Sequence, residues 1–202
     1  MIAHNIKILL NIQELIVFDD ALYILYIGDS FVKIESDLKM LNKIKTREEL
    51  KQIIQQARSE GKKVVTTNGC FDVLHVGHLR YLQSAKQLGD ILIVAINSDD
   101  SVRAIKGEKR PLVPEDERAE LLAGLECVDY VMIFPELTPI SFLIELRPNI
   151  HVKGGDYTPD RVIERETVES IGAELHLLPG AEGKSTTNLI EIIIERYGKL
   201  KR

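Results

Sequence analysis

The chain reads as an α/β protein: a five-stranded parallel sheet with helices on both faces, preceded by a short β-rich extension. From about residue 62 onward, short apolar runs of β-type residues alternate with helix-length amphipathic segments, as successive βα units require. The run Ile91-Leu-Ile-Val-Ala-Ile96 is continuously apolar, which suits a strand buried on both faces. Helix-opening signals fall in the gaps between such runs.

Taken in order, the strands are expected over Lys63–Thr67, Asp90–Asn97, Val128–Phe134, Ile150–Lys153 and Glu174–Leu178. Thr46-Arg-Glu-Glu49 is a capping box for a helix running to about Ser59 and closed by Gly61. Pro114 opens the segment before Arg118-Ala-Glu-Leu-Leu122, and Thr138-Pro139 and Thr158-Pro159 each read as an N-cap followed by proline at the first helical position. A last helix over about Thr187–Tyr197 carries Leu189, Ile190, Ile193 and Ile194 in a stripe expected to face the core. The units assemble into a doubly wound, Rossmann-like sheet of order 3-2-1-4-5. Residues 1–43 differ: Leu15–Phe18, Ala21–Ile27 and Phe31–Ile34 are β-type runs parted by Asp19-Asp20 and Gly28-Asp-Ser30, a small antiparallel extension suited to an edge or self-association role. Residues 44–202 form the main domain.

Composition narrows the function. At 202 residues, with 45 % hydrophobic and 28 % charged residues, the chain is long and apolar enough for a real core, so disordered and fibrous classes fall away. The 26 Lys and Arg against 31 Asp and Glu leave a net charge of -5, which argues against broad binding to nucleic acid or to an anionic membrane and leaves room for a local basic pocket. Cys70 and Cys127 stand apart without metal-ligand spacing and read as free thiols of a reducing compartment. Polar residues interrupt the apolar first 18 positions and no uninterrupted membrane-length run follows, so a cytoplasmic location is expected.

The chemistry concentrates in Thr66-Thr67-Asn68-Gly69-Cys70-Phe71-Asp72-Val73-Leu74-His75-Val76-Gly77-His78, just after the first main-domain strand and just before a helix. In an open α/β sheet, ligands bind beyond the carboxyl ends of the strands where strand order reverses. Gly69 lets backbone approach a phosphate, and Gly77 leaves room at the same place. His75 and His78, three apart at a helix mouth, share a face and reach one polyphosphate, with the helix amino end adding unpaired N–H groups. His4, His151 and His176 lack such company.

Lys106, Lys109 and Arg110, flanked by Arg103 and Arg118, form a basic cluster after the second strand; a solvated surface run and a phosphate contact are equally good readings of it. Lys153-Gly-Gly-Asp-Tyr157 follows the fourth strand and faces His75 across the crevice if the strand order holds. There Gly154 and Gly155 make a tight turn, while Lys153 and Asp156 suit phosphate and sugar hydroxyls. Gly183-Lys-Ser-Thr-Thr187 precedes the last helix, where Ser185, Thr186 and Thr187 can cap it and hold phosphate at once. Cys70 has no third group to complete a nucleophile pair and reads as a packed thiol. Asp72 orients the loop or a histidine, with a magnesium contact as the other reading.

These residues resemble the nucleotidyltransferases that carry the H-x-G-H motif, here His75-Val-Gly-His78, over roughly residues 44–197. Within them the chain looks most like the D-glycero-β-D-manno-heptose 1-phosphate adenylyltransferases, found alone or as the carboxyl-terminal half of a bifunctional kinase/adenylyltransferase. The blocks that carry this are Thr67-Asn-Gly-Cys-Phe-Asp72, Asn97-Ser-Asp99, Lys106-Gly-Glu-Lys-Arg-Pro111, Gly124-Leu-Glu-Cys-Val-Asp129, Val152-Lys-Gly-Gly-Asp-Tyr157 and Gly183-Lys-Ser-Thr-Thr187. Glycerol 3-phosphate cytidylyltransferases are similar through H-x-G-H and S-T-T, but they have an arginine where this chain has Gly180-Ala-Glu182 and Gly-Asp-Asp-Trp where it has Gly154-Gly-Asp-Tyr157. Lys184 is the nearest replacement for that arginine's charge.

The resemblance implies direct attack of a sugar phosphate on the α-phosphate of ATP, with Mg2+ and no covalent enzyme intermediate. It implies His75, His78 and Lys106 as catalytic groups; Gly69, Cys70, Phe71, Asp72, Gly77, Arg110, Gly183, Ser185, Thr186 and Thr187 as nucleotide contacts; and Asn68, Lys153, Gly155 and Asp156 as sugar-phosphate contacts. Metal ligands are not assigned. CTP in place of ATP, another sugar or polyol phosphate such as glycerol 3-phosphate, and a non-catalytic nucleotide-binding module are the competing readings. Small-molecule substrates, no nucleic acid, no membrane and a homodimer are the expected partnerships.

Overall fold

The computed structural model describes residues 14–18, 22–27, 30–33, 40–155, 158–179 and 185–198. The chain divides into two units, Met1–Asn42 and Lys43–Arg202. In the first, β1 (Glu14–Phe18), β2 (Leu22–Ile27) and β3 (Ser30–Lys33) form an antiparallel sheet in that order, with Glu14 opposite Tyr26 and Ile24 opposite Lys33.

The second unit begins with α1 (Arg47–Ser59), whose capping box is complete: the Glu49 N–H donates to the Thr46 hydroxyl at 3.2 Å, and the Thr46 N–H donates to the Glu49 carboxylate at 2.8 Å. Leu50, Ile54 and Ala57 follow at helical spacing on the buried face. The sheet contains β4 (Val64–Gly69), β5 (Ile91–Asn97), β6 (Tyr130–Phe134), β7 (Ile150–Gly154) and β8 (Glu174–Leu178), all parallel, in the order β6-β5-β4-β7-β8. This is the expected 3-2-1-4-5. Leu92 through Ile96 are fully buried, as an apolar strand covered on both faces must be.

Between the strands lie α2 (Val76–Lys86), α3 (Asp99–Lys106), α4 (Glu115–Ala123), α5 (Ile140–Leu146) and α6 (Arg165–Ser170), with α7 (Thr186–Tyr197) last. One core joins Leu50 and Ile54 of α1, Ile93 and Ala95 of β5, Met132 and Phe134 of β6, and Phe142, Leu143 and Leu146 of α5. Phe134 and Phe142 meet edge to face, with ring centroids 5.1 Å apart.

Three local expectations change. Thr138 does not cap α5; Pro139 occupies the N-cap position and makes no side-chain cap bond. Thr158-Pro159 opens only a 3-10 turn, Pro159–Arg161, and α6 starts later, because Val162 and Glu164 turn inward and break the run. The apolar stripe of α7 is not core: no residue of that helix is buried, and Ile193 and Ile194 are 50 % and 62 % exposed. Helical periodicity records an apolar face but not what covers it.

The topology fixes the site. From β4 the chain crosses one way to β5 and β6, then returns to the other flank for β7 and β8. The carboxyl ends of β4 and β7 therefore border the switch point, and the loops that follow both strands line it.

Candidate active site

The loop leaving β4 is shaped by its aromatic residue. Phe71 is buried with φ of 46°, and its ring lies so close to Gly69 that a Cβ there would sit 3.0 Å from it. Gly69 thus makes room for Phe71, a packing reason that the sequence reading, centred on phosphate approach, did not contain. The Phe71 ring in turn lies 5.1 Å from the His78 ring, and His78 stacks on His75 at 3.9 Å with 18° between planes. The two motif histidines form one aromatic unit held from beneath by Phe71.

His75 is the N-cap of α2. Its Nδ1 accepts from the N–H groups of Gly77 at 3.1 Å and His78 at 3.4 Å. These helix-mouth donors are therefore engaged by the histidine, which corrects the expectation that they stand ready for a phosphate; the cap is the physical reason. A ring nitrogen that accepts carries no proton, so the neutral His75 ring holds its hydrogen on Nε2. For His78, burial and the neighbouring His75 push the imidazole down to about 4, so at neutral pH it is uncharged. Its Nδ1 is buried without a hydrogen-bond partner among the described residues. The pair offers directional N–H groups rather than a second positive charge.

Charge comes from the surrounding loops. Asp72, with a fully buried side chain, accepts from the Leu112 and Val113 N–H groups at 2.7 and 3.0 Å and pairs with the Arg110 Nε–H. It clamps the 110–113 segment onto the motif loop. Arg118, expected only as a flank of the basic cluster, is entirely buried. It donates to the carbonyls of Cys70 at 2.5 Å and Val113 at 3.0 Å, and to Asp99 at 2.7 Å. Arg103 pairs with Asp100, and Lys109 is exposed. Lys106 is also exposed, at the end of α3, close enough to act electrostatically on the Cys70 thiol. Burial raises that thiol, with Lys106, Arg118 and Arg110 opposing; the net upward shift keeps Cys70 protonated and unsuited to nucleophilic attack.

Across the switch point, Lys153 is the penultimate residue of β7 and is followed by two glycines with different tasks. A Cβ on Gly154 would lie 2.5 Å from the Tyr81 ring, and Gly155 has φ of 117°. Tyr81 is anchored there by its hydroxyl, 2.5 Å from the Thr67 hydroxyl and donating to the Val152 carbonyl at 3.1 Å. The Lys153 ammonium donates to the Asn68 side chain at 3.1 Å and to Glu164 at 2.5 Å. Asn68, Lys153 and Gly155 are thus brought together, whereas Asp156 and Tyr157 lie outside the described residues. On α7, Ser185 caps the helix by accepting from the Asn188 N–H at 3.1 Å, and the Thr186 hydroxyl donates to the Val73 carbonyl at 3.4 Å, tying this loop to the motif loop. Thr187 is exposed; Gly180–Glu182, Gly183 and Lys184 lie outside the described residues.

Among the described residues no cluster of three or more His, Cys, Asp or Glu side chains could hold a metal ion. Asp72, the carboxylate nearest the histidines in sequence, already carries three donors. The side chains described do not form a magnesium cage. A cleft of about 340 Å³ at the amino ends of the strands, lined by Arg58, Lys63, Arg147 and Glu174, is remote from this chemistry, and Arg58 already donates there to the carbonyls of Leu146 and Arg147. Among the described residues, no helix is long and apolar enough to cross a membrane.

Residues 66–191 match the family described as cytidylyltransferase-like. The bifunctional protein HldE of Trichlorobacter lovleyi is 56 % identical over 156 residues, 77 % of this chain and 32 % of that protein. HldE of Geobacter metallireducens is 53 % identical over 157 residues, and that of Aliarcobacter butzleri 46 % over 170, covering 78 % and 83 % of this chain. The chain spans about a third of the length of these curated relatives. Among solved structures, a lipopolysaccharide core biosynthesis protein from Thermoplasma volcanium GSS1 is 30 % identical with a TM-score of 0.50, covering 60 % of this chain and 98 % of that one.

Proposed function

The chain belongs to the cytidylyltransferase-like family, and on that premise we propose that it is an adenylyltransferase that transfers AMP from ATP to D-glycero-β-D-manno-heptose 1-phosphate, giving ADP-heptose and pyrophosphate. The observation that carries the reading is the stacked His75–His78 pair at the mouth of α2, which follows the carboxyl end of β4, the strand that with β7 borders the switch point. The six matched sequence blocks support the heptose branch, as does the 46 % to 56 % identity to the HldE proteins.

The residues suit a direct displacement. An oxygen of the sugar phosphate attacks the α-phosphorus, the bond from that phosphorus to the α–β bridging oxygen breaks, and pyrophosphate leaves with the electron pair. The attacking group is already an anion near pH 7, its second ionisation lying near pH 6 as in other phosphomonoesters, so no protein base is required. What remains is positioning and the stabilisation of charge spread over the phosphates. The Nε2–H of His75 and the neutral His78 ring supply fixed N–H groups; Lys106, Arg110 and Lys153 supply charge on either side of the crevice. Magnesium is assigned to the arriving nucleotide, where it shields the phosphate charge.

The test is pyrophosphate release and nucleotide-sugar formation with Mg2+, ATP or CTP, and heptose 1-phosphate or glycerol 3-phosphate. Turnover with ATP and the heptose phosphate is expected. Turnover only with CTP or glycerol 3-phosphate overturns the substrate assignment, and tight ATP binding without turnover overturns the enzyme. His75→Ala and His78→Ala are each expected to lower kcat about a hundredfold or more while leaving the circular dichroism spectrum unchanged.

A further inference from the structure

We propose that Glu164 is the positioning residue of the sugar-phosphate side of the crevice, holding the Lys153 ammonium against Asn68 at the carboxyl end of the β4–β7 pair. The inference rests on the reading of Lys153 as a sugar-phosphate contact.

Glu164 is poorly explained as a structural residue. Its side chain has no exposure, its Oε2 is buried without a hydrogen-bond partner among the described residues, and it makes no cap bond to α6, the helix it precedes. A half-satisfied buried carboxylate is normally less stable than an apolar side chain of its size, so fold stability does not account for it. Its strongest contact is Lys153, at 2.5 Å from Oε1. His151 lies 3.4 Å from the same oxygen, but burial holds that imidazole below its ordinary range, so it is neutral at pH 7; its Nδ1 is 2.9 Å from the Thr66 hydroxyl. Burial would raise the Glu164 carboxyl, yet His151 and Lys153 beside it bring it down to about 2. The carboxylate therefore stays ionised opposite the lysine.

The geometry gives this pair a direction. Thr67 and Val152 are register partners, so Asn68 and Lys153, one residue further on, sit side by side at the strand ends. The Lys153 side chain is 14 % exposed and Glu164 lies wholly behind it. A lysine has four rotatable side-chain bonds; bound at one end to Glu164 and Asn68, its ammonium is placed before a phosphate or sugar oxygen arrives. Glu164 touches no substrate in this arrangement and works through Lys153.

The experiment is a double-substitution cycle of Glu164→Gln, Lys153→Met and both together, with KM and kcat measured for heptose 1-phosphate and for ATP. Glu164→Gln is expected to raise the sugar-phosphate KM about tenfold, with kcat and the ATP KM within about threefold, and Lys153→Met with Glu164→Gln is expected to match Lys153→Met alone within about twofold. Multiplicative effects, or an unchanged sugar-phosphate KM, overturn the proposal. If Glu164→Gln fails to fold, Glu164→Asp supplies the test, and its sugar-phosphate KM must fall between those of wild type and Lys153→Met; a KM equal to wild type overturns the proposal. Should the wild-type enzyme turn over no sugar phosphate, the functional reading fails by itself. The positioning claim is then decided by NMR of 13C-methylated lysines, where Glu164→Gln must move the Lys153 resonance and its titration; an unmoved resonance overturns it.

Discussion

Replacing Asp72 by asparagine tests the clamp between the motif loop and the 110–113 segment. The carboxylate carries three bonds with no solvent exposure: the Leu112 and Val113 N–H groups on Oδ1 and the Arg110 Nε–H on Oδ2. Asparagine keeps one accepting oxygen, so the two backbone bonds survive in neutral form, losing about 1 kcal/mol each. Its amide NH2 then faces the Arg110 donor. That loses a charged bond worth about 2 kcal/mol, partly recovered because Arg110, 18 % exposed, can turn toward water. The net cost is about 3 kcal/mol, or a fall in Tm of about 6 to 12 °C for a domain of this size. With the loop loosened and the guanidinium released, kcat/KM should drop about 10- to 100-fold. Differential scanning calorimetry and pyrophosphate release read the two effects. A Tm within about 2 °C of wild type together with kcat/KM within about threefold would refute the clamp. Recovery of full activity at high Mg2+ would refute it differently, by making Asp72 a metal ligand.

Other consequences follow from the same geometry. His78 has a folded value of about 4 against an ordinary 6.5, so the unfolded chain binds its proton first as pH falls; stability present above pH 6.5 is lost progressively down to pH 4, by up to about 3 kcal/mol. Urea titrations between those values should show this loss, reduced in His78→Gln, with a remainder from the buried His151, which shifts in the same direction; an equal slope in both proteins rejects the assignment. Gly154→Ala should cost about 2 to 4 kcal/mol, since the new Cβ would lie 2.5 Å from the Tyr81 ring and displace its two hydroxyl bonds. Thermal denaturation checks this, and a Tyr81→Ala background should restore part of the loss. Arg118→Met should destabilise by about 3 kcal/mol by leaving the Cys70 carbonyl and Asp99 without their donor; a Tm equal to wild type contradicts it.

The sheet was legible because each strand needs only a short apolar run, and the capping box at Thr46 because its partners are three residues apart. The His75–His78 motif could be placed for the same reason: its meaning depends on a strand end and a helix start that are adjacent in sequence. Arg118 shows where such reading stops. In sequence it flanks a basic cluster that reads equally as solvated surface or phosphate contact; in the fold it lies in the helix Glu115–Ala123 and reaches Cys70, 48 positions away, and Asp99, 19 away. No local pattern encodes acceptors so distant. Glu164 was missed likewise, since Lys153 and His151 become its neighbours only when the 3-10 turn folds it back over β7. One signal existed for it in the sequence: an acid placed directly after the apolar pair Val162-Ile163.

The two pairs flanking the crevice share one construction, and this bears on how an anion would be held. Asp72 and Glu164 both have fully buried side chains, while their partners Arg110 and Lys153 are 18 % and 14 % exposed. Each cation is thus fixed from behind by an anion that solvent cannot reach. Pairing weakens the long-range field of each cation, so it contributes less to steering than a free lysine would. In exchange, less side-chain freedom remains to be lost when a phosphate arrives, and more of the contact energy goes into orientation. Lys106 differs from both: it is exposed at the end of α3, where its field is less balanced. The association rate of ATP should therefore fall with salt mainly through Lys106, while the affinity conferred by Arg110 and Lys153 should be comparatively salt-tolerant. Stopped-flow binding of wild type and Lys106→Gln between 50 and 500 mM salt separates the two, and equal salt slopes would refute the division; the salt range itself is about one decade, enough to shorten the Debye length about threefold.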